Sequence, residues 1–374
     1  MAGDIYDKLA DALNVLPTRF PRTQSGIEIK ILGLLFSPDE AAMASELGPG
    51  GESLDQIAKR VGLSTQEAEA RLHDMAEKGM VVPMKKDGRD AFRLNTAFAA
   101  MGQMLERNII SSLRISPLDN LNTHQLIHLR EEYLSAGAYV EIHKVPPPDS
   151  RVLPAQKALE PEQILPYDDI REIIRSAKSF GVAHCNCRLE KDDVGERKCD
   201  FPTKTCIFFS PVEGEPYPWR KTCVYDSLSK EQFLEIFDNA EEIGLVHTMS
   251  NVINGEGYGW ICNCCGDCCI ALRGITQFGL KNAVAPANYF SVIDQDKCNQ
   301  CGLCVNRCQV HAISNEGTEM VVNRDLCIGC GICVTGCPID AVKMERKQET
   351  EIVQPPADYA AWSQERLHCL SMTK

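Results

Sequence analysis

Cysteine is missing altogether from the first 184 residues of this 374-residue chain, although the chain as a whole has nineteen. The front half therefore offers no thiolate for metal or redox chemistry, and all such chemistry falls to the back half. An odd total excludes complete internal disulfide pairing. No stretch approaches the 18 or so consecutive apolar residues of a membrane span. The opening Met1-Ala2-Gly3-Asp4 has neither a basic segment nor an apolar core of the secretory kind. The expectation is a cytoplasmic protein, where thiols stay reduced and clustered cysteines serve metals. Basic charge is also scarce: 39 Lys and Arg stand against 52 Asp and Glu, a net charge of −13. That balance opposes nucleic-acid binding by the whole surface, though it permits one basic face. Flavin, nicotinamide, haem and nucleotide motifs are lacking too. Gly255-x-Gly257-x-Gly259 has the wrong spacing for a dinucleotide loop and runs into cysteines rather than into a helix.

What is present is most regular near the C-terminus. Cys298, Cys301, Cys304 and Cys308 repeat 29 residues later as Cys327, Cys330, Cys333 and Cys337, and Gly302 and Ala312 recur as Gly331 and Ala341. Each copy reads C-x2-C-x2-C-x3-C. This spacing wraps three thiolates around one [4Fe-4S] cube while the fourth reaches the neighbouring cube. One cluster is expected on Cys298, Cys301, Cys304 and Cys337, the other on Cys327, Cys330, Cys333 and Cys308. Gly302 and Gly331 suit a backbone passing close to a cluster. Structural zinc sites lack the tight third cysteine. Residues 288 to 346 resemble the bacterial two-cluster ferredoxin module, with one departure: the second run ends Cys337-Pro338 as in that family, whereas the first ends Cys308-Gln309.

Residues 167 to 287 read as a cysteine-rich α/β unit built twice. Ile170, Ile173, Ile174 and Ala177 form one face of an expected helix over 168–179, with Gly181 placed as its cap. A second helix opens on Ser229-x-x-Gln232 and ends at Gly244. Each leads through an apolar pair and a histidine, His184 or His247, toward a Cys-Asn-Cys motif. Both histidines are read as structural. Cys185, Cys187, Cys199 and Cys206 supply four candidate ligands, and Cys262, Cys264, Cys265, Cys268 and Cys269 supply five more. Two further [4Fe-4S] clusters, one cluster with a zinc, and a larger active-site cluster all remain open. Cys223 and Cys369 are left over, with Cys223 read as a buried structural thiol.

Residues 160 to 346 as a whole resemble large 4Fe-4S ferredoxin-type proteins of anaerobic bacteria, through His184-Cys185-Asn186-Cys187-Arg188, Cys199-Asp200, Thr205-Cys206, Ile261-Cys262-Asn263-Cys264-Cys265 and Asp267-Cys268-Cys269. The resemblance implies iron-sulfur binding and a redox role, and names no substrate.

In the cysteine-free front, two capping boxes, Ser53-x-x-Gln56 and Ser64-x-x-Glu67, open helices Leu54 to Val61 and Thr65 to Lys78 around Gly62-Leu63. Val81 to Met84 and Ala91 to Leu94, joined at Lys86-Asp87-Gly88-Arg89, read as a hairpin. With amphipathic helices at Ile5 to Leu16 and Gly26 to Phe36, residues 1 to 100 resemble a winged helix. The second helix carries Glu67, Glu69, Asp74 and Glu77 against Arg71 and Lys78. Protein docking or dimerisation is therefore expected ahead of DNA contact. Residues 101 to 166 read as a linker, with helix over 108–113 and 125–134 and an extended Val145-Pro146-Pro147-Pro148. Residues 347 to 374 form a tail with helix from Ala357 to His368.

The expected fold is thus multidomain α+β: winged helix, cysteine-rich α/β domain and two-cluster ferredoxin module. The expected function is single-electron relay between redox protein partners. A redox-responsive winged-helix regulator and a reductase with an active-site cluster are the alternatives; no catalytic residue is assigned. Each oxidised cube with four thiolates adds about −2 to the charge, which favours a basic docking face on the partner.

Overall fold

The computed structural model describes residues 2–48, 51–78, 80–86, 88–94, 120–216, 225–253 and 257–372. They fall into two compact units, one mainly within residues 1–142 and the other mainly within 143–369. Cys223, the expected helix over 108–113 and Gly255 lie outside the described residues.

In the first unit, helices Ala2–Asn14, Ile27–Leu35 and Pro38–Ser45 precede the paired helices Leu54–Val61 and Thr65–Glu77. The first of the pair ends on Gly62 at φ 70°, a left-handed cap that glycine supplies without strain. The second starts where the Ser64 hydroxyl accepts the Glu67 amide at 3.3 Å. Strands β1 (Glu52–Ser53), β2 (Val81–Lys86) and β3 (Arg89–Leu94) form an antiparallel sheet in the order β1-β3-β2. Its core gathers Ile57, Ala68, Leu72, Met75, Ala91 and Phe92. A helix at Asn120–Tyr133 completes the unit, with the Tyr133 hydroxyl donating to Pro21 O at 2.8 Å.

The second unit is built on β4 (Ser150–Leu153), β5 (Ser179–His184), β6 (Lys204–Ser210), β7 (Asp226–Leu228), β8 (Val246–Ser250) and β9 (Gly259–Cys264), in the order β4-β8-β9-β6-β5-β7. Every neighbouring pair is antiparallel, so the mixed character of this region takes the form of a single antiparallel sheet with helices against it. Helix Lys230–Ile243 buries Phe233 and Phe237 against Phe180, Val182, Ile207, Phe209 and Ile261. It has the expected capping box at Ser229 and a left-handed end at Gly244, φ 96°.

Two stretches differ from the sequence expectation: β4, inside the 101–166 stretch expected as a linker, is held in the sheet by its pairing with β8, and the helix over 168–179 is cut short. The helix expected over 168–179 is a single turn, Ile170–Ile173, and Ser179–His184 is a strand. Ile170 and Ile174 are buried as the periodicity implied, but pairing of β5 with both β6 and β7 overrides helix propensity beyond that turn. Gly181 is accordingly no cap. It lies inside β5, where an added Cβ would stand 3.0 Å from the Pro216 ring and 3.3 Å from Asp226 O.

Strands β10 (Tyr289–Ile293) and β13 (Val342–Arg346) pair antiparallel, as do β11 (Ile313–Asn315) and β12 (Met320–Val322). Short helices Leu303–Arg307 and Ile332–Thr335 stand between them. The 29-residue repeat is imprinted in the backbone: positive φ recurs at Gln300 and Gly329, Gly302 and Gly331, and His311 and Asp340. Val145-Pro146-Pro147-Pro148 is clamped by helix Tyr359–Met372: Trp362 donates to Pro148 O at 3.0 Å, and Arg366 donates to Pro147 O at 2.8 Å.

Candidate metal centres

The sequence repeat places two sets of cysteines together. Cys298, Cys301 and Cys304 of the first run and Cys337 of the second line one cavity, with Pro338, Ile339 and Ala341 beside them. Cys308 instead lies close enough to Cys327, Cys330 and Cys333 to feel their charge: burial first, and then negative charge from within this set, pushes the Cys308, Cys330 and Cys333 thiols up. These are the crossed sets that two neighbouring cubes require.

Donors face the sulfurs at repeat-related positions. The Ala312 amide lies 3.1 Å from Cys308 Sγ and the Ala341 amide 3.3 Å from Cys337 Sγ. The Gln300 amide reaches Cys298 Sγ at 3.4 Å, and Ser291 Oγ is 3.0 Å from Cys333 Sγ. Burial pushes the Cys330 thiol well up and Cys333 up to about 12. Without a cation these thiols hold their protons; a metal replaces the proton and stabilises the thiolate. Clustered thiols, amide donors and low polarity all fit a [4Fe-4S] pair. Cys301 is the exposed member, so its set is the one open to solvent.

The antiparallel sheet brings further cysteines to one end of its interior strands β9, β6 and β5. β5 runs out at His184 into Cys185 and Cys187, β9 ends at Cys264, and Cys206 is buried on β6 opposite Ala183. The sulfurs associate across the two sequence runs. Cys185 contacts Cys187, which meets Cys269; Cys269 Sγ lies 3.1 Å from Cys264 Sγ, and Cys264 contacts Cys262. A second group joins Cys199 to Cys265 and Cys268, with the Asp267 carboxylate among them. Cys369 sits half-buried on the C-terminal helix.

Both histidines have structural partners. His247 is fully buried, stacked on Phe237 at 3.8 Å between centroids, with Nδ1 2.6 Å from Asn263 Oδ1 and Nε2 3.4 Å from Glu241 Oε1. His184 Nδ1 lies 2.8 Å from Thr203 Oγ1.

Arg188 had no assigned role in the sequence beyond its place in a motif. It is fully buried and donates to Pro202 O at 3.0 Å, Thr205 Oγ1 at 2.8 Å and Asn263 O at 2.8 Å. Among the described residues it has no carboxylate partner. The groups whose charge it feels are Cys185, Cys265 and Cys264. An uncompensated buried cation costs several kcal/mol, so Arg188 matches thiolates rather than neutral thiols.

Two further residues join the ferredoxin-like module to the sheet. Arg307 donates to the Glu241 and Glu242 carbonyls at 2.8 and 2.9 Å, at the negative end of helix Lys230–Ile243, and to Ile332 O at 3.0 Å. Gln309, which stands where the repeat-related residue is Pro338, accepts the Gly266 amide at 2.9 Å and donates to Gly244 O at 3.0 Å. The departure from proline thus supplies an amide that holds the cysteine loop. The crossing is close: a Cβ on Gly266 would fall 2.0 Å from Gln309 O. Residues 291–344 match the family model of the 4Fe-4S dicluster domain, and no curated protein matches the chain. No helix among the described residues is long and apolar enough to cross a membrane.

Proposed function

We propose that the protein is a one-electron carrier. A [4Fe-4S] pair ligated by Cys298, Cys301, Cys304 and Cys337, and by Cys327, Cys330, Cys333 and Cys308, exchanges electrons with metal bound at the cysteine-rich end of the sheet and with protein partners. The observation that carries this reading is the crossing of Cys337 and Cys308 between sets, together with the dicluster match. When bound, the cubes supply single-electron chemistry at potentials set by hydrogen bonds to sulfur, burial and charge. The chain's part is to aim the Ala312 and Ala341 amides at the ligand sulfurs, to exclude water from Cys333, and to hold the sheet against the module through Arg307 and Gln309.

Residues 1–100 are read as a winged helix, 167–287 as the cysteine-rich domain and 288–346 as the dicluster domain. The winged helix serves protein docking. Three of its cations are already engaged: Arg71 pairs with Asp39 at 3.6 Å, Lys78 with Glu40 and Asp74 at 2.6 Å each, and Lys85 with Asp90 at 2.7 Å. A helix that reads DNA keeps such charges for phosphates. Anaerobic iron and sulfide quantification tests the carrier reading: about eight irons per chain are the minimum it requires, and a count well below eight would defeat it.

A further inference from the structure

We propose that Cys199, Cys265, Cys268 and Asp267 form a mononuclear zinc site of three thiolates and one carboxylate. Cys199 Sγ lies 3.6 Å from Cys265 Sγ and 3.7 Å from Cys268 Sγ. Thiolates about 2.3 Å from one tetrahedral ion stand about 3.8 Å apart. A cube holds its ligands outside four separate irons, so its sulfurs stand much wider apart. The Asp267 carboxylate completes the set: all four ligand atoms lie within 4.8 Å of one another, and Oδ2 is 3.3 Å from Cys268 Sγ. The Lys198 amide donates to the same oxygen at 3.3 Å, which holds the carboxylate toward the sulfurs.

The local sequence suits one ion. Cys265-x-x-Cys268 is the close pair that zinc sites use, and Cys199 arrives from a separate loop as zinc ligands commonly do. Thiolates with one carboxylate are an acceptable zinc set. Charge provides an independent argument. A divalent ion with three thiolates and one carboxylate carries 2 − 4 = −2, and the buried Arg188 guanidinium, without a carboxylate among the described residues, interacts with Cys265. The ion would pin the 195–203 loop to the end of β9, leaving Cys185, Cys187, Cys262, Cys264 and Cys269 as a separate row.

The site rests on the metal-binding reading of the middle region and is independent of the dicluster reading, so the two fail separately. The test is metal analysis and zinc-edge X-ray absorption on the full chain, produced with zinc and iron supplied and purified without oxygen. One zinc per chain is expected, with three sulfurs at about 2.3 Å and one oxygen at about 2.0–2.2 Å. The double variant C265S/C268S should lose the zinc and keep the irons of the dicluster domain. Absence of zinc from the wild-type chain would overturn the site, as would a loss of about four irons in C265S/C268S. The wild-type spectrum decides the matter even if the variant does not fold. Absent dicluster iron with zinc retained would instead count against the carrier reading alone.

Discussion

Replacing Gln309 with proline would give both cysteine runs the same Cys-Pro ending, yet the geometry predicts damage. The substitution removes no ligand, and among the described backbone bonds none is donated by the Gln309 amide. It does remove the side-chain amide that accepts from Gly266 and donates to Gly244. Losing the neutral bond to Gly244 costs about 1 kcal/mol, and leaving the Gly266 amide without a partner costs about 1–3 kcal/mol. The expected loss is about 2–4 kcal/mol, concentrated where the cysteine loop meets the module. At 1.4 kcal/mol per tenfold, the Gly266 amide should exchange with solvent roughly 30- to 1000-fold faster if local opening governs exchange. Q309E should fall between, since a carboxylate still accepts from Gly266 but cannot donate to Gly244. Hydrogen exchange by mass spectrometry on a peptide spanning 262–270 reads this directly, and the visible spectrum of the dicluster domain should not change. Unaltered exchange in Q309P would refute the role given to Gln309.

Four other outcomes follow from the same geometry. Serine at Cys337 should disturb the cluster of Cys298, Cys301 and Cys304, and serine at Cys308 the other; EPR of the reduced variants separates them, and a C337S spectrum matching that of C333S would contradict the crossed assignment. D168A should lower stability by about 3–5 kcal/mol in thermal or denaturant unfolding, because it strands Arg151, whose Nη1 lies 2.5 Å from Asp168 in a buried pair. Burial outweighs that pairing and raises the Asp168 carboxyl to about 6, so between about pH 4 and 6 the folded chain keeps a proton that the unfolded chain has released. Stability from this group therefore falls as pH rises through that window, by up to about 1.4 kcal/mol per unit, and D168N should abolish that component of the slope. Lys347 borders the cavity beside Cys327 and feels its charge; K347Q should lower the potential of that cluster by on the order of tens of millivolts, and a rise would contradict the charge argument.

The two dicluster cysteine sets are legible in sequence because each is mostly local: three cysteines within seven residues suit three irons of one cube, and the 29-residue repeat supplies the crossing partner. The middle region is harder because its sulfurs meet across strands. Cys199 finds Cys265 and Cys268 only once the antiparallel order of β6 and β9 is known, and no spacing encodes that order. Residues 168–179 show the same limit. Their apolar spacing fits a helix and does bury Ile170 and Ile174, but β5 is decided by its neighbours on both sides. Arg188 is visible only as a motif letter, since its importance comes from burial without a carboxylate partner among the described residues. Gln309 was visible as a missing proline, and its partners Gly244 and Gly266 give that departure a physical reason.

The most direct test of the central claim is spin quantification during an anaerobic redox titration of the full chain. Two one-electron cubes held as close as shared runs of cysteines require predict about two spins per chain in the fully reduced dicluster domain, with signals broadened by mutual interaction. No paramagnetic signal on reduction, or a single isolated spin unaffected by C308S and C337S alike, would contradict it.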